Sequence, residues 1–320
     1  MDDLDIRLYE ELRHDGRASM VKLARATGLS RAGVRSRVSR LINEGQLRVT
    51  GIVHPSSQGF SALAHLTISV RGSARDVAVA LAAIEDVTLV SIVAGPSALI
   101  AEVNAPGIIE LDLTIRRVSL IAGVVDINTS IYTARIKDLY EPTGPIEAKG
   151  IDDIDRRIVA VLETDGRASF AEIARSTNLS QSTVRSRIHQ MTSRRVLQIS
   201  AVAIPDALGL QYMCGFGLVL EPGTENATLF EIEKIRSVSY LSRTLGRWNA
   251  IGTLLAESQH DVAHQLDSIR LVTGVCNLSS WTHLEVVKEN YQYSTFKTSP
   301  FPSRAFNNPL GKHEPRIDLD

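Results

Sequence analysis

Residues 2–38, DDLDIRLYEELRHDGRASMVKLARATGLSRAGVRSRV, align without a gap to residues 152–188, DDIDRRIVAVLETDGRASFAEIARSTNLSQSTVRSRI, with about half of the positions identical. A repeat of this length constrains the fold more than any other feature, because each copy must be a unit that buries an apolar face, alone or against its twin. Beyond the block the match weakens but keeps phase with one extra residue: Gly95 answers Gly246, and Gly123-Val124 answers Gly274-Val275. The 320 residues therefore hold one unit written twice, each copy long enough for more than one core.

The opening of each unit reads as three short helices. Leu4, Leu8 and Leu12, like Ile154, Ile158 and Leu162, recur at helical spacing, with Asp2, Asp3 and Asp5 at the positive end of the first helix. A second helix begins at Ser19 or Ser169, the latter with the capping-box spacing Ser169-x-x-Glu172. It ends at Gly28 in one copy and Asn178 in the other, the residue types that most readily turn left-handed. Ser30 and Ser180 then cap a third helix whose inward face is Val34, Val38 and Leu41 in the first copy. Past it, Gly45 is matched by Arg195, which a left-handed position would cost on the order of 1 kcal/mol. This is a helix-turn-helix, followed by a short β-rich stretch, LRVTGIVHP or LQISAVAIP, that suits a wing beside the DNA backbone.

Charge supports the same reading. From Gly16 to Asn43 there are seven basic residues and no acid, and from Gly166 to Ser200 six arginines stand against Glu172 alone. A solvated face normally mixes signs, so this imbalance in a chain of net charge −1 points to a local polyanion partner, double-stranded DNA. The expected contacts are Arg31, Ala32, Gly33, Arg35, Ser36, Arg37 and Arg40 in one copy, and Gln181, Ser182, Thr183, Arg185, Ser186, Arg187 and His189 in the other. Arg35, Arg37, Arg185 and Arg187 are assigned to phosphates, and Ala32, Gly33, Ser36, Arg40, Ser182, Thr183, Ser186 and His189 to base edges. About six to eight phosphate contacts would give log affinity a slope of about −5 to −7 against log salt. Arg40 facing Gln190 makes the two modules unequal.

The rest of each unit alternates strand and helix in the order βαββαβ: ALAHLTISV, a helix with Val77, Leu81 and Ile84, the hairpin TLVSIVAG and SALIAEV, a helix with Ile108, Leu111 and Ile115, and VVDINTSIYTARI. The second copy repeats it through VCNLSSWTHLEVV. The expected class is α+β, with two winged helix-turn-helix domains (1–54 and 151–204) alternating with two ferredoxin-like antiparallel-sheet domains (60–140 and 210–293). One face of each such sheet needs a partner. Residues 141–150, EPTGPIEAKG, read as a linker and 294–320 as a disordered tail.

These residues resemble the Lrp/AsnC, or feast/famine, transcription regulators. The likeness rests on DDLDIRLYEELRHDGRAS, LARATGLSRAGVRSRVSRLINEG and their second-copy counterparts, followed by the βαββαβ module, and covers about residues 2–140 and 152–293. It implies a DNA-binding regulator whose sheets pair into dimers and higher assemblies, and whose effector, commonly an amino acid, sits near the turn between the two central strands. The family's Gly-x-aromatic-Asp there corresponds to Gly95-Pro96-Ser97-Ala98 and to Gly246-Arg247-Trp248-Asn249, so the second copy is the expected effector site, with an amide in place of the acid. Family chains usually hold one unit, so the two units here are expected to pair within the chain and to leave a surface for homo-oligomers.

Other classes fit less well. The start MDDLD is acidic and no apolar run follows, unlike a secretory signal, and no stretch is long enough to span a bilayer, so a cytoplasmic protein is expected. Cys214 and Cys276 lie in apolar runs and read as reduced core residues. His260 and His264 have helical i, i+4 spacing but no third ligand nearby, so they read as surface histidines; no metal or cofactor is expected. The rivals are an enzyme on the same scaffold, of the sirohaem-decarboxylase type, and an assembly protein whose DNA face has lapsed.

Overall fold

The computed structural model describes residues 1–53, 57, 59–138, 143–145, 150–203 and 212–289; the expected tail, and most of the expected linker, lie outside them. The first unit runs α1 (Asp3–His14), α2 (Met20–Thr27), α3 (Arg31–Asn43), β1 (Leu47–Val53), β2 (Ala62–Val70), α4 (Ala74–Ala82), β3 (Val87–Ala94), β4 (Leu99–Ala105), α5 (Ile108–Ser119) and β5 (Val124–Asp138). After the two-residue β6 (Gly144–Pro145), the second runs α6 (Asp153–Thr164), α7 (Phe170–Thr177), α8 (Gln181–Ser193), β7 (Leu197–Ala203), β8 (Tyr212–Leu220), α9 (Glu225–Glu233), β9 (Val238–Leu245), β10 (Ala250–Ala256), α10 (Gln259–Arg270) and β11 (Val275–Glu289).

The helix ends follow their local chemistry. Asp2 and Asp152 cap α1 and α6 through capping boxes closed by Asp5 and Asp155, and Ser169 with Glu172 does so for α7. Gly28 and Asn178 are both left-handed at the ends of α2 and α7 (φ 73° and 55°), and Arg195 takes φ 54° where Gly45 takes 67°.

The β-stretch after α3 is not a wing. β1 pairs antiparallel with β7 of the other unit, register centred on Thr50 opposite Ser200, and both strands are largely buried. The hydrogen bonds across this seam come in twins. Thr50 Oγ1 donates to the Glu163 carbonyl and Ser200 Oγ to that of Arg13, both at 2.8 Å. Gly16 N donates to Ile199 O and Gly166 N to Val49 O, both at 2.9 Å. A Cβ on Gly16 would lie 2.8 Å from Ile199 O, and one on Gly166 2.9 Å from Thr50 N, so only glycine lets the backbones approach. Arg17 donates to the carbonyls of Gly166 and Ala168, and Arg167 to those of Gly16 and Ala18. The repeated pentapeptide DGRAS is thus a seam motif. One hydrophobic core, from Leu8 and Val34 to Ile158 and Val184, serves both modules.

The two expected sheets are likewise one. Within each unit the strand order is ferredoxin-like, β5-β2-β4-β3 and β11-β8-β10-β9, but β3 pairs with β11 and β5 with β9, closing eight strands into a barrel; β6 adds to β5 outside it. The cause is the length of β5 and β11, 15 residues each. The first half of each pairs inside its own unit and the second half reaches across to the other. At the far ends Lys137 Nζ donates to the carbonyls of Glu233 and Ile235 closing α9, and Lys288 Nζ to that of Ile84 after α4. Two apolar clusters separate the helices from the barrel, one per unit. Cys214 is buried in the second of these as expected, whereas Cys276 is exposed, because it is the extra residue at an irregularity where β11 steps from Val275 opposite Leu220 to Asn277 opposite Val219.

Candidate nucleic-acid interface

The recognition helices α3 and α8 present matching faces. Val34, Val38 and Leu41 are buried in one, Val184, Ile188 and Met191 in the other. Outward lie Arg31, Ala32, Arg35, Ser36 and Arg40 on α3, and Gln181, Ser182, Arg185, Ser186 and His189 on α8; Gly33, Arg37, Thr183 and Arg187 are half-buried beside them. Ser180 Oγ, besides capping Thr183 N, lies 2.8 Å from the hydroxyls of both Ser182 and Thr183, so the start of α8 is a hydroxyl cluster where α3 has Ala32 and Gly33.

The structure divides the cations that the sequence presents as one block. Arg37 donates to Asp2 at 2.6 Å and Asp5 at 2.9 Å, and Arg40 to Asp5 at 2.6 Å and Glu44 at 3.1 Å. Arg187 repeats the first pattern with Asp152 at 2.5 Å and Asp155 at 3.3 Å. Burial would raise the Asp5 carboxyl, but hydrogen bonds from Arg40 and Arg37 outweigh it and hold the carboxyl below its ordinary value. Hydrogen bonds to Asp2 and then Asp5 raise the Arg37 guanidinium. These arginines clamp each recognition helix to the first helix of its unit, and Arg17 and Arg167 are spent on the seam. Arg185 stacks 5.1 Å over Phe170. Arg31 and Arg35 are exposed and make no hydrogen bond or ion pair among the described residues.

The two turns expected to hold an effector meet at one end of the barrel, each seated on the last strand of the other unit. A Cβ on Gly95 would touch Trp281 Cβ at 2.8 Å, and one on Gly246, where φ is 145°, Thr129 O at 2.7 Å. Trp248 is buried against Trp281, ring centroids 5.4 Å apart. Asn249 Oδ1 accepts from Leu220 N at 2.8 Å, while Arg247 stays exposed with its guanidinium 5.2 Å over the Trp248 ring. Pro96, Ser97, Arg247 and Trp248 border a shared cleft floored by Thr67 and Trp281. His260 and His264 are both exposed on α10, and among the described residues no group of three or more His, Cys, Asp or Glu could hold a metal ion.

The model of the AsnC-type helix-turn-helix domain matches residues 1–42 and again 151–192. The HTH-type transcriptional regulator FL11 of Pyrococcus abyssi is 28% identical over 146 residues, 45% of this chain and 94% of that protein. FL11 of Pyrococcus furiosus is 25% identical over 140 residues, 43% of this chain and 93% of its own length. Each copy of the repeat thus carries an AsnC-type helix-turn-helix domain. A relative of that length matches less than half of this chain, as the tandem duplication requires. Over the whole chain, the crystal structure of the siroheme decarboxylase NirDL shares the fold, with a TM-score of 0.65 across 90% of this chain and 93% of that one at 15% identity.

The barrel interior holds a polar and aromatic group that no sequence motif announces. Tyr132 Oη donates to Glu102 at 2.8 Å and lies 3.5 Å from His65 Nδ1, while His283 Nδ1 pairs with Ser91 Oγ at 2.9 Å. Burial, with the charge of His283 added, pushes His65 down to about 3, and burial pushes His283 down to about 4. Burial and the nearby Glu102 push the Glu289 carboxyl up to about 7. The signal that could have exposed them is parity: Leu63, His65 and Thr67 alternate along β2. It was masked because both faces of that strand are buried, one on helices and one in the barrel.

Proposed function

We propose that the protein is a sequence-specific, DNA-binding transcription regulator in which the two units of one chain do the work of a dimer. The observation that carries this is the seam: β1 and β7 fix two exposed recognition helices about a pseudo-twofold axis, the arrangement that two half-sites about one helical turn apart require. Arg35 and Arg185 supply the phosphate attraction, with Arg31, Ala32, Gly33, Ser36, Gln181, Ser182, Thr183, Ser186 and His189 toward base edges. Since Arg17, Arg37, Arg40, Arg167 and Arg187 already serve internal partners, fewer than about six phosphate contacts are expected, and log affinity should fall against log salt with a slope shallower than about −5.

Gel shifts against genomic fragments across a salt series test this. Arg35→Ala should weaken retained fragments alike, and Ser36→Ala should change preference among them. No retained fragment, or retention indifferent to salt, would favour an assembly protein and remove the reading. The effector, an amino acid or related metabolite, is placed at Gly246-Arg247-Trp248-Asn249, where the exposed Arg247 suits a carboxylate. Exposed Ile108, Ile109 and Leu113 on α5, with Leu120 just past its end, support self-association of chains. No helix among the described residues is long and apolar enough to cross a membrane, in keeping with a cytoplasmic setting. The fold shared with a decarboxylase leaves enzyme chemistry as the rival. Against it, a large ligand in this barrel would have to displace Trp248 and Trp281, which fill its interior beside His65.

A further inference from the structure

The seam places α3 and α8 as twins, so position one of α3 meets one half-site as position one of α8 meets the other. Arg31 and Gln181 hold those positions, both exposed, at the helix end that approaches base edges. They differ in what they can recognise. A guanidinium presents a fork of donors and matches the two acceptors of guanine, N7 and O6; a carboxamide presents one donor and one acceptor and matches adenine N7 and N6. Behind them the contrast continues: Ala32 and Gly33 leave room on α3, while Ser182 and Thr183 put hydroxyls on α8. The flanking residues are the same, Arg35 with Arg185 and Ser36 with Ser186, so the backbone contacts of the two half-sites are alike.

From this we infer that the chain reads a directional operator: two half-sites of equal spacing, one presenting guanine to Arg31 and the other adenine to Gln181, bound in a single orientation by one molecule. A homodimer of single-unit chains sets the same residue on both half-sites and favours a palindrome; here the covalent join removes that requirement, and β1–β7 pairing preserves the geometry. The inference rests on the DNA-binding reading.

Selection from a random duplex pool with the full chain, followed by gel shifts, tests it. The wild type should enrich a non-palindromic site and lose roughly ten-fold in affinity when either half is replaced by a copy of the other. The exchange Arg31→Gln with Gln181→Arg should swap the guanine and adenine between the halves, while Arg31→Gln alone should favour adenine in both. Both variants lie on exposed positions, and hydroxyl-radical footprints of the same length would show that the module pair is intact. Enrichment of a symmetric site, or unchanged preferences after the exchange, would overturn the inference with DNA binding intact. A pool with no enriched sequence would instead remove the reading beneath it.

Discussion

The seam between the helix-turn-helix modules and the interior of the barrel are both built by twin elements, yet one is symmetric and the other is not. At the seam Arg17 matches Arg167, Gly16 matches Gly166, and Thr50 faces its counterpart Ser200. In the barrel the strand registers pair His65 with Ser130 in one unit and Gly215 with Trp281 in the other. Thr67 is likewise answered by Gly217, and Tyr132 by His283. The glycines make the difference possible: a Cβ on Gly215 would lie 2.1 Å from Trp281 Nε1, and one on Gly217 2.3 Å from the Trp248 ring. Fusion into one chain lets a central position hold a histidine on one side and an indole on the other, which two identical subunits cannot do. Pairing strands back to back gains nothing from such freedom, so the seam keeps its symmetry.

The sharpest way to break the comparison is to empty the asymmetric side. Trp281→Ala should destabilise the protein by about 3–5 kcal/mol in urea unfolding, through lost burial and the cavity left behind. Gly215→Ala should cost about 1–3 kcal/mol by overpacking. Their combination should cost less than the sum, because the added methyl enters the space the indole vacates; strict additivity would show that the two positions do not share that space. On the symmetric side, Arg17→Ala and Arg167→Ala should each cost about 1–3 kcal/mol by leaving two buried carbonyls short of a donor. Arg17 also lies 4.8 Å over the Phe170 ring, whose counterpart in the first copy is Met20, so Arg17→Ala should lose about 0.5–1 kcal/mol more than Arg167→Ala, and equal losses would show that the ring contact adds nothing.

Acid sharpens the contrast, since the histidines held neutral by burial sit in the barrel. His65 and His283 are held neutral in the folded protein, so from pH 6.5 down to about 4 the unfolded chain binds two more protons and stability falls as pH falls. Glu289 works the other way: between 4.5 and about 7 the folded state keeps a proton that the unfolded chain has released. The net is about one proton, or about 1.4 kcal/mol lost per pH unit on acidification from pH 6.5 to 4.5. His65→Asn should flatten that slope and Glu289→Gln should about double it. Chemical denaturation at stepped pH reads both, and a slope untouched by His65→Asn would place that histidine's titration outside the barrel.

Much of this was legible in the residues. The helix-turn-helix limits, the caps at Ser30, Ser169 and Ser180, the left-handed exits at Gly28 and Asn178 and the βαββαβ order all follow from local pattern, and local pattern is what a sequence states directly. The errors concern partners. β1 reads as a wing because nothing in LRVTGIVHP says that its edge will meet its own repeat. The arginines read as one cationic face because Asp2 and Asp5 lie 35 or so residues away from Arg37 and Arg40. The closed barrel is not legible because VVDINTSIYTARI and VCNLSSWTHLEVV each read as the last strand of their own sheet, and nothing in them says that their second halves pair across to the other unit.

The smallest expected effect tests a single backbone position. After α8 the chain turns left-handed at Arg195, φ 54°, as it does after α3 at Gly45, φ 67°. Both turns close the same way: Gly45 N donates to Ile42 O and Gln46 N to Leu41 O, as Arg195 N does to Thr192 O and Val196 N to Met191 O. The second copy has thus kept a glycine's conformation without a glycine, held in place by Val196 and Leu197 in the shared core. A side chain there strains against its own carbonyl, so Arg195→Gly should stabilise the fold by up to about 1 kcal/mol, less the entropy that glycine adds to the unfolded chain. Gly45→Arg should destabilise by a similar amount. If neither changes the urea midpoint, the turn costs an arginine no more than a glycine, and the pairing of Gly45 with Arg195 carries no energetic asymmetry between the two modules.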